Sequence, residues 1–401
     1  MRIAHLTATF PPYLGGAGTT ALHLAGGLAA RGHDVEVLTA EAGGGPEPDV
    51  GGARVRRLPA LASIGNAPLL PGLLRAGGYD VVHLHHPFLF GTELTLLRRL
   101  RGPRAALVVS YHNRLVGSGA RAPLFRGWEL SWGRWLLRAA DRVCVLSEGH
   151  ARSVPQLAAL ERRSPDRLAV LPNGVDLELF RPGPEGAGVR AAHGIPEGAV
   201  VAAFVATLDR AHYFKRLDRA IDAVRRTRDE RLHLLVVGAG EDMESHRRAA
   251  AAAGLADRVH FAGAAGHERL PALLRGADLL LLSSDPPESF GIVLIEAMAT
   301  RLPTVSTDLP GVSTVGVPEE TGLVAPRDDP EALAAALRRM VELGPEGRRR
   351  MGTAGRAHAE AHYAWPRLVE RTEAIYAEAI GERGRLSNNM QIGRATTRLP
   401  R

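Results

Sequence analysis

Short apolar runs bounded by turn residues alternate along this chain with segments whose apolar positions repeat at helical spacing. Residues 2–7, 35–38, 81–84, 106–110, 143–146 and 168–171 read as strands, with helices over 18–31, 94–100 and 128–139 between several of them. The pattern stops over 181–198, RPGPEGAGVRAAHGIPEG, a Pro/Gly-rich stretch that reads as a linker with at most one helical turn. It restarts with strands over 200–206, 232–237, 258–262 and 279–282, and with helices over 216–227, 241–253, 268–276 and 291–300. Strands that are apolar on both faces and separated by helices predict a parallel sheet covered on both sides. The expected fold class is therefore α/β, two Rossmann-like doubly wound domains facing across a cleft. The borders fall at 1–180 for the first domain and 199–362 for the second. Helical patterns follow over 330–343 and 364–379, and 381–401 reads as a basic disordered tail.

Composition narrows the class. With 401 residues, 45% of them apolar, the chain exceeds one ordinary domain and is not disordered as a whole. Its one cysteine, Cys144, excludes an intramolecular disulfide and a Cys-based zinc cage, and suits a reducing compartment. The opening MRIAHLTATFPP has no long apolar core, and no run approaches the roughly 18 apolar residues of a spanning helix. A cytoplasmic location is the expectation. The net charge is +7, and Lys215 is the only lysine beside 49 arginines. A basic chain is either simply soluble and basic or suited to anionic partners such as phosphates, nucleic acid or acidic lipid. Aromatics are only 5% and gather in one segment, which argues against a base-stacking surface and hence against nucleic acid.

The segment ESFGIVLIEAMA places Glu288 and Glu296 eight residues apart, after an apolar strand and around the start of a helix. Amides at such an N-terminus, here those of Phe290, Gly291 and Ile292, favour a phosphate. A carboxylate accepts two hydroxyl hydrogen bonds, which a ribose diol offers. The residues thus read as a nucleotide-sugar clamp, or as two solvated glutamates flanking an ordinary helix. Arg210 and Lys215, in LDRAHYFKR, follow the first strand of the second domain, where two cations can bracket a diphosphate. Gly15, Gly16 and Gly18 lie between a strand and a helix. Gly16–Ala21 also fits G-x-G-x-x-A, which keeps a nicotinamide-dependent oxidoreductase as a rival, although a proline-containing loop separates it from the strand. His83, His85, His86 and His112 sit at strand C-termini, as a zinc site or, for His112, as a polar contact to substrate. No Asp-x-Asp triplet occurs, so metal-free chemistry is expected. PNGVD (172–176) and VVGAGE (236–241) read as tight turns, the second open to a ligand at Gly238. Trp128, Trp132 and Trp135 share one face of a regular helix, near Arg121, Arg126, Arg134 and Arg138. That face either packs in the core or meets an anionic membrane surface.

Taken together, GGAG, DVVHLHHP, SYHN, LPNGVD, the Arg210–Lys215 pair, VVGAGE, ESFGIVLIEAMA, PGV and TGLVAP resemble the retaining glycosyltransferases of family 4, over about residues 1–380. The resemblance implies the GT-B fold, with a nucleotide-sugar on the second domain and an acceptor on the first. It implies that helix 363–380 returns to the first domain. By position, Glu288 would contact the donor sugar and Glu296 the ribose. Arg210 and Lys215 would hold the diphosphate, Gly16 would approach it, and His112 would sit beside the transferring sugar. The implied reaction is hexosyl transfer from a UDP- or GDP-sugar to a hydroxyl of a lipid, a polysaccharide or a small metabolite. It would proceed by front-face substitution, without metal or other cofactor. Peripheral membrane contact stays open as a second partner, and a sugar-nucleotide epimerase on the same fold as a second rival.

Overall fold

The computed structural model describes residues 1–12, 15–41, 48–101, 105–115, 121–184 and 186–396. The chain divides into two compact units, Met1–Pro172 with Trp365–Arg401, and Asn173–Ala364. The first holds seven parallel strands: β1 (Arg2–Leu6), β2 (Asp34–Ala40), β3 (Arg54–Leu58), β4 (Val81–His86), β5 (Ala106–Tyr111), β6 (Arg142–Val145) and β7 (Leu168–Val170), in the order β3-β2-β1-β4-β5-β6-β7. The second holds six: β8 (Val200–Val205), β9 (Leu232–Val237), β10 (Val259–Gly263), β11 (Leu279–Leu282), β12 (Thr304–Thr307) and β13 (Gly322–Ala325), in the order β10-β9-β8-β11-β12-β13. Each sheet reverses its winding beside its first strand, at β1/β4 and at β8/β11. In doubly wound sheets that switch point, at the strand C-termini, is where ligands bind.

Burial explains why the central strands were legible. β4, β5, β9 and β11 are buried at every position, and β5, β9 and β11 are mainly apolar for that reason, whereas β4 carries three histidines. β3, RVRRL, escaped the hydrophobic pattern because an edge strand buries only part of one face. The helix Gly344–His362 escaped it too. Its contact face is made of small residues: a Cβ on Gly352 would lie 1.9 Å from the Arg301 carbonyl oxygen.

The borders differ from the expected ones for a physical reason. Residues from Asn173 onward pair within the second unit: the Val175 amide donates to the Tyr363 carbonyl (2.8 Å), and Arg356 donates to the Phe180 carbonyl (2.8 Å). The expected linker contains the helix Gly186–Ala192, whose Arg190 is tied to Asp278 at 2.8 Å. Helix α1 (Gly16–Ala30) packs against the last helix, α4 (Trp365–Thr396), so closely that a Cβ on Gly27 would meet Val369 at 2.4 Å. The chain therefore ends in its first unit. Helix α4 runs on through 381–396, which the polarity of the tail read as structureless, and 397–401 lie outside the described residues. Among the described residues no helix is long and apolar enough to cross a membrane.

Candidate functional site

The switch point of the second unit is built from the two loops that follow β8 and β11. After β8 the chain forms a 3-10 turn over Arg210–Lys215, capped by Asp209, whose Oδ1 accepts from the His212 amide at 2.9 Å. Arg216 then takes a left-handed conformation (φ 56°) and opens helix α2 (Leu217–Thr227). That helix buries Leu217, Ala220, Ile221 and Val224, one stripe at helical spacing. After β11 the chain turns through Asp285 into Glu288. Gly291 (φ 76°) then caps helix α3 (Ile292–Ala299), in a conformation that favours glycine.

A charged network joins the two loops. Asp285 accepts from Arg216 at 2.5 Å and from Arg219 at 2.9 Å, and its amide donates to the Phe214 carbonyl at 2.7 Å. The Ser283 hydroxyl donates to the Arg216 carbonyl at 2.9 Å. Sequence reasoning missed Arg216, Arg219 and Asp285, and an arginine-rich chain gives no signal that singles them out. They hold Lys215 against Glu288, Nζ to Oε2 at 2.5 Å, with the two side chains 21% and 10% exposed. Glu288 Oε1 accepts from the Gly291 amide at 3.1 Å. Burial pushes the Glu288 carboxyl up, but the Lys215 charge and hydrogen bond, with the Gly291 and Phe290 amides, outweigh it and hold it below its ordinary value. Two of the three amides expected for a phosphate, those of Phe290 and Gly291, are thus engaged by Glu288. The Ile292 and Val293 amides open the helix and have no intrahelical acceptor.

Helix α3 is apolar apart from Glu296, and a helix apolar all round is buried all round. Glu296 is 7% exposed and is buried with the helix that carries it. Burial raises its carboxyl to about 7, and the Lys215 charge offsets only part of that. His267 Nδ1 lies 3.8 Å from it, but burial lowers that ring's pKa and keeps it neutral, so it supplies no charge. Arg210 is not brought to this group. Its side chain is 84% exposed and faces Glu241 at 3.4 Å. Gly238 (φ 149°) packs on the loop after β8, where a Cβ would lie 1.8 Å from the Ala206 carbonyl oxygen, so its lack of a side chain serves backbone packing. Beside these residues lies a cavity of about 380 Å³ bordered by Asp209, Tyr213, Lys215, Asp218 and Asp285.

In the first unit Gly16 is the first residue of α1 and its carbonyl accepts from the Thr20 hydroxyl at 2.9 Å. Gly16 and Gly18 therefore lie within the helix that Gly15 caps, well after β1 has ended at Leu6, and not in a strand-to-helix turn as a dinucleotide fingerprint requires. Gly18 is needed where the helix crosses the preceding loop, 2.6 Å from the Thr9 carbonyl oxygen for an added Cβ. His83, His85 and His112 come together in the core of the unit with His5 and Tyr376, which the sequence did not point to. His86 is on the opposite face, between the Tyr111 and Trp128 rings.

The tryptophans do not share an exposed face. A π-helical turn, Glu129–Gly133, interrupts the segment and shifts the helical phase. Trp128 is buried, and Trp132 and Trp135 stack on each other against the core. The exposed apolar residues here are Leu124 and Leu130, beside exposed Arg126, Arg134 and Arg138.

Comparison with known proteins gives a consistent result. The family described as "Glycosyl transferases group 1" matches residues 188–358, and "Glycosyltransferase Family 4" matches residues 14–179. The chain is 32% identical over 384 residues to the D-inositol 3-phosphate glycosyltransferase of Saccharomonospora viridis, covering 88% of this chain and 86% of the relative. It is 28% identical over 433 residues to an MMP alpha-(1->4)-mannosyltransferase of Mycolicibacterium hassiacum, covering 95% and 98%. Among solved structures it is similar to sucrose-phosphate synthase from Thermosynechococcus elongatus, with a TM-score of 0.78, 25% identity and coverage of 95% and 99%.

Proposed function

Because this chain belongs to the group 1 glycosyltransferases of family 4, with the GT-B fold, we propose that it moves a hexosyl group from a UDP- or GDP-sugar to a hydroxyl acceptor, with retained anomeric configuration and without a metal ion. The observation that carries this reading is the Lys215–Glu288 pair, held at the switch point of the second unit beside the N-terminus of α3, with Glu296 buried in that helix. Lys215 Nζ exchanges Glu288 for the donor diphosphate, which also takes the first amides of α3. Arg210 supplies a second cation from its exposed loop. Glu288, released and ionised, accepts hydroxyl hydrogen bonds from the sugar, and Glu296 accepts those of the ribose. His112 and Gly16 are the proposed contacts of the sugar and the diphosphate from the first unit, and Gly238 is a further one from the second. The bond from the anomeric carbon to the phosphate oxygen breaks, that to the acceptor oxygen forms, and the leaving phosphate takes the acceptor proton. Lys215 and the helix amides stabilise the charge that develops on the phosphate.

A screen of UDP-, GDP-, ADP- and dTDP-sugars against polyol phosphates, free sugars and lipid acceptors tests this reading. Released nucleoside diphosphate identifies the donor, and the anomeric coupling of the product in NMR reports the stereochemistry. Retention and an undiminished rate in EDTA are expected. An inverted product, or a reversible and absolute need for Mg²⁺ or Mn²⁺, would contradict the proposal.

For the segment 121–138 the proposed surface contact runs through Leu124 and Leu130 and the neighbouring arginines, with the tryptophans serving the core. Each arginine near an anionic surface contributes about 1 kcal/mol, so weak flotation with anionic vesicles at low salt is expected. Leu124→Ser with Leu130→Ser should abolish it. Binding that ignores both salt and lipid charge would count against it.

A further inference from the structure

The first unit carries a buried hydrogen-bonded chain of which the reaction above uses only the last member, His112. It follows from strand periodicity. His5 on β1 lies opposite His83 on β4, and His85 on β4 lies opposite Ser110 on β5. Side chains two apart on a strand share a face, so His5, His83, His85, Ser110 and His112 all project from one face of the sheet at the switch point. Helix α4 covers that face and adds Tyr376. His5, His83 and Tyr376 are fully buried, and His85, Ser110 and His112 are no more than 5% exposed.

Burying imidazoles is costly unless each nitrogen finds a partner. Here the partners are one another. Ser110 Oγ meets His83 Nε2 at 2.8 Å, and His83 Nδ1 meets the Tyr376 hydroxyl at 2.6 Å. That hydroxyl meets His5 Nε2 at 3.3 Å, His5 Nδ1 meets His85 Nε2 at 3.0 Å, and His85 Nδ1 meets His112 Nε2 at 3.0 Å. Among the described residues His112 Nδ1 has no partner, and it ends the chain. Burial lowers all four rings, His5 and His112 to about 3, so each is neutral at working pH.

A neutral imidazole has one donor and one acceptor nitrogen. In an unbroken chain of them, fixing one tautomer fixes all, so only two polarities exist. The distances at Tyr376 choose between them. A bond of 2.6 Å suits an O–H donor, and one of 3.3 Å a weaker N–H donor. Tyr376 therefore donates to His83 Nδ1 and accepts from His5 Nε2–H. His83 Nε2–H donates to the Ser110 hydroxyl oxygen. His5 Nδ1 accepts from His85 Nε2–H, and His85 Nδ1 accepts from His112 Nε2–H.

We infer that Ser110, His83, Tyr376, His5 and His85 are positioning residues that hold His112 as its Nε2–H tautomer, leaving Nδ1 as a fixed acceptor for a substrate hydroxyl. The inference rests on the reading that His112 contacts the transferring sugar. The tautomer of a histidine is set by the bond its other nitrogen makes, and here the setting starts three partners away, at Tyr376 on the last helix of the chain.

Long-range ¹H–¹⁵N spectra of the full chain labelled at histidine read the tautomers directly. Wild type should show His112 with a pyridine-type Nδ1 and a pyrrole-type Nε2. Tyr376→Phe keeps the ring but unpairs His83 Nδ1 and His5 Nε2–H, so His112 should populate both tautomers. Ser110→Ala removes the acceptor of His83 Nε2–H and should drive the chain to the opposite polarity. In Ser110→Ala kcat should fall about tenfold, the worth of roughly one hydrogen bond, and in Tyr376→Phe by less, with KM for the donor little changed. His112→Ala is measured beside them. If it loses transfer while Tyr376→Phe and Ser110→Ala keep the wild-type tautomer and kcat, the chain of control is overturned and the role of His112 stands. If the tautomer shifts but neither these variants nor His112→Ala change kcat, the control stands and the role of His112 falls. His5, His83 and His85 bring three ring nitrogens within 4.8 Å of one another. Stoichiometric zinc in the protein as isolated would therefore replace the hydrogen-bonded chain with a metal site and overturn the inference.

Discussion

Replacing Lys215 by alanine is expected to lower kcat by about two to three orders of magnitude, the loss seen when one group stabilising a developing oxyanion is removed. Lys215→Arg should restore only part of it, because a planar guanidinium does not occupy the position of a compact ammonium against Glu288. The same substitution leaves Glu288 almost buried with only the Phe290 and Gly291 amides to face it. Its carboxyl is held below its ordinary value of 4.5 by Lys215 despite burial, so the pair contributes stability above that pH and loses it as acid protonates the carboxylate. The gap in Tm between wild type and Lys215→Ala should therefore be widest near neutral pH and close below about pH 4.5. Circular dichroism beside the kinetics separates lost folding from lost chemistry. A folded Lys215→Ala variant with near wild-type turnover would remove Lys215 from the reaction.

How far these features could be read from the chain depends on how local they are. The doubly wound architecture was legible because β5, β9 and β11 are buried on both faces and so are written mainly in apolar letters, as is the start of β4. β3 was not, since RVRRL spends three of its five positions on arginine. Glu288, Glu296 and Lys215 stood out as residues, the lysine because it is the only one. Their contact did not. Lys215 and Glu288 are 73 residues apart, and only the pairing of β8 with β11 brings their loops together. The clamp that seats them, Arg216, Arg219 and Asp285, is invisible among 49 arginines. The same holds in the first unit. HLHHP drew attention to itself, whereas His5 and Tyr376, which complete its hydrogen bonds, lie on the first strand and the last helix. The tryptophan spacing misled because a π-helical turn, which no residue type announces, breaks the regular phase.

Glu296→Gln should weaken binding of the bare nucleoside diphosphate by about a hundredfold, whereas Glu288→Gln should change it little and act on turnover and sugar selectivity. The magnitude is that of two hydroxyl hydrogen bonds to a charged acceptor. It carries a pH signature. Burial raises the Glu296 carboxyl to about 7, so the free protein is largely protonated there in mild acid and must lose that proton to accept both ribose hydroxyls. Wild-type affinity should fall by up to about tenfold per unit below pH 7, and that of Glu296→Gln should not follow. The ionisation of the diphosphate itself is common to both proteins and cancels in their ratio. Stability without ligand moves the other way. An acid whose folded value lies above its unfolded one binds its proton more tightly in the native state, so it costs stability as pH rises from about 4.5 to about 7. The glutamine has no charge to bury. Glu296→Gln should thus be the more stable protein at pH 8, by up to about 3 kcal/mol, and should lose that advantage at pH 5. Calorimetric titration of both glutamine variants with UDP and GDP at pH 5.5, 7 and 8, with Tm at each pH, decides the matter. Equal losses of affinity in Glu288→Gln and Glu296→Gln, or a ratio of wild type to Glu296→Gln that is flat with pH, would show that Glu296 does not hold the ribose.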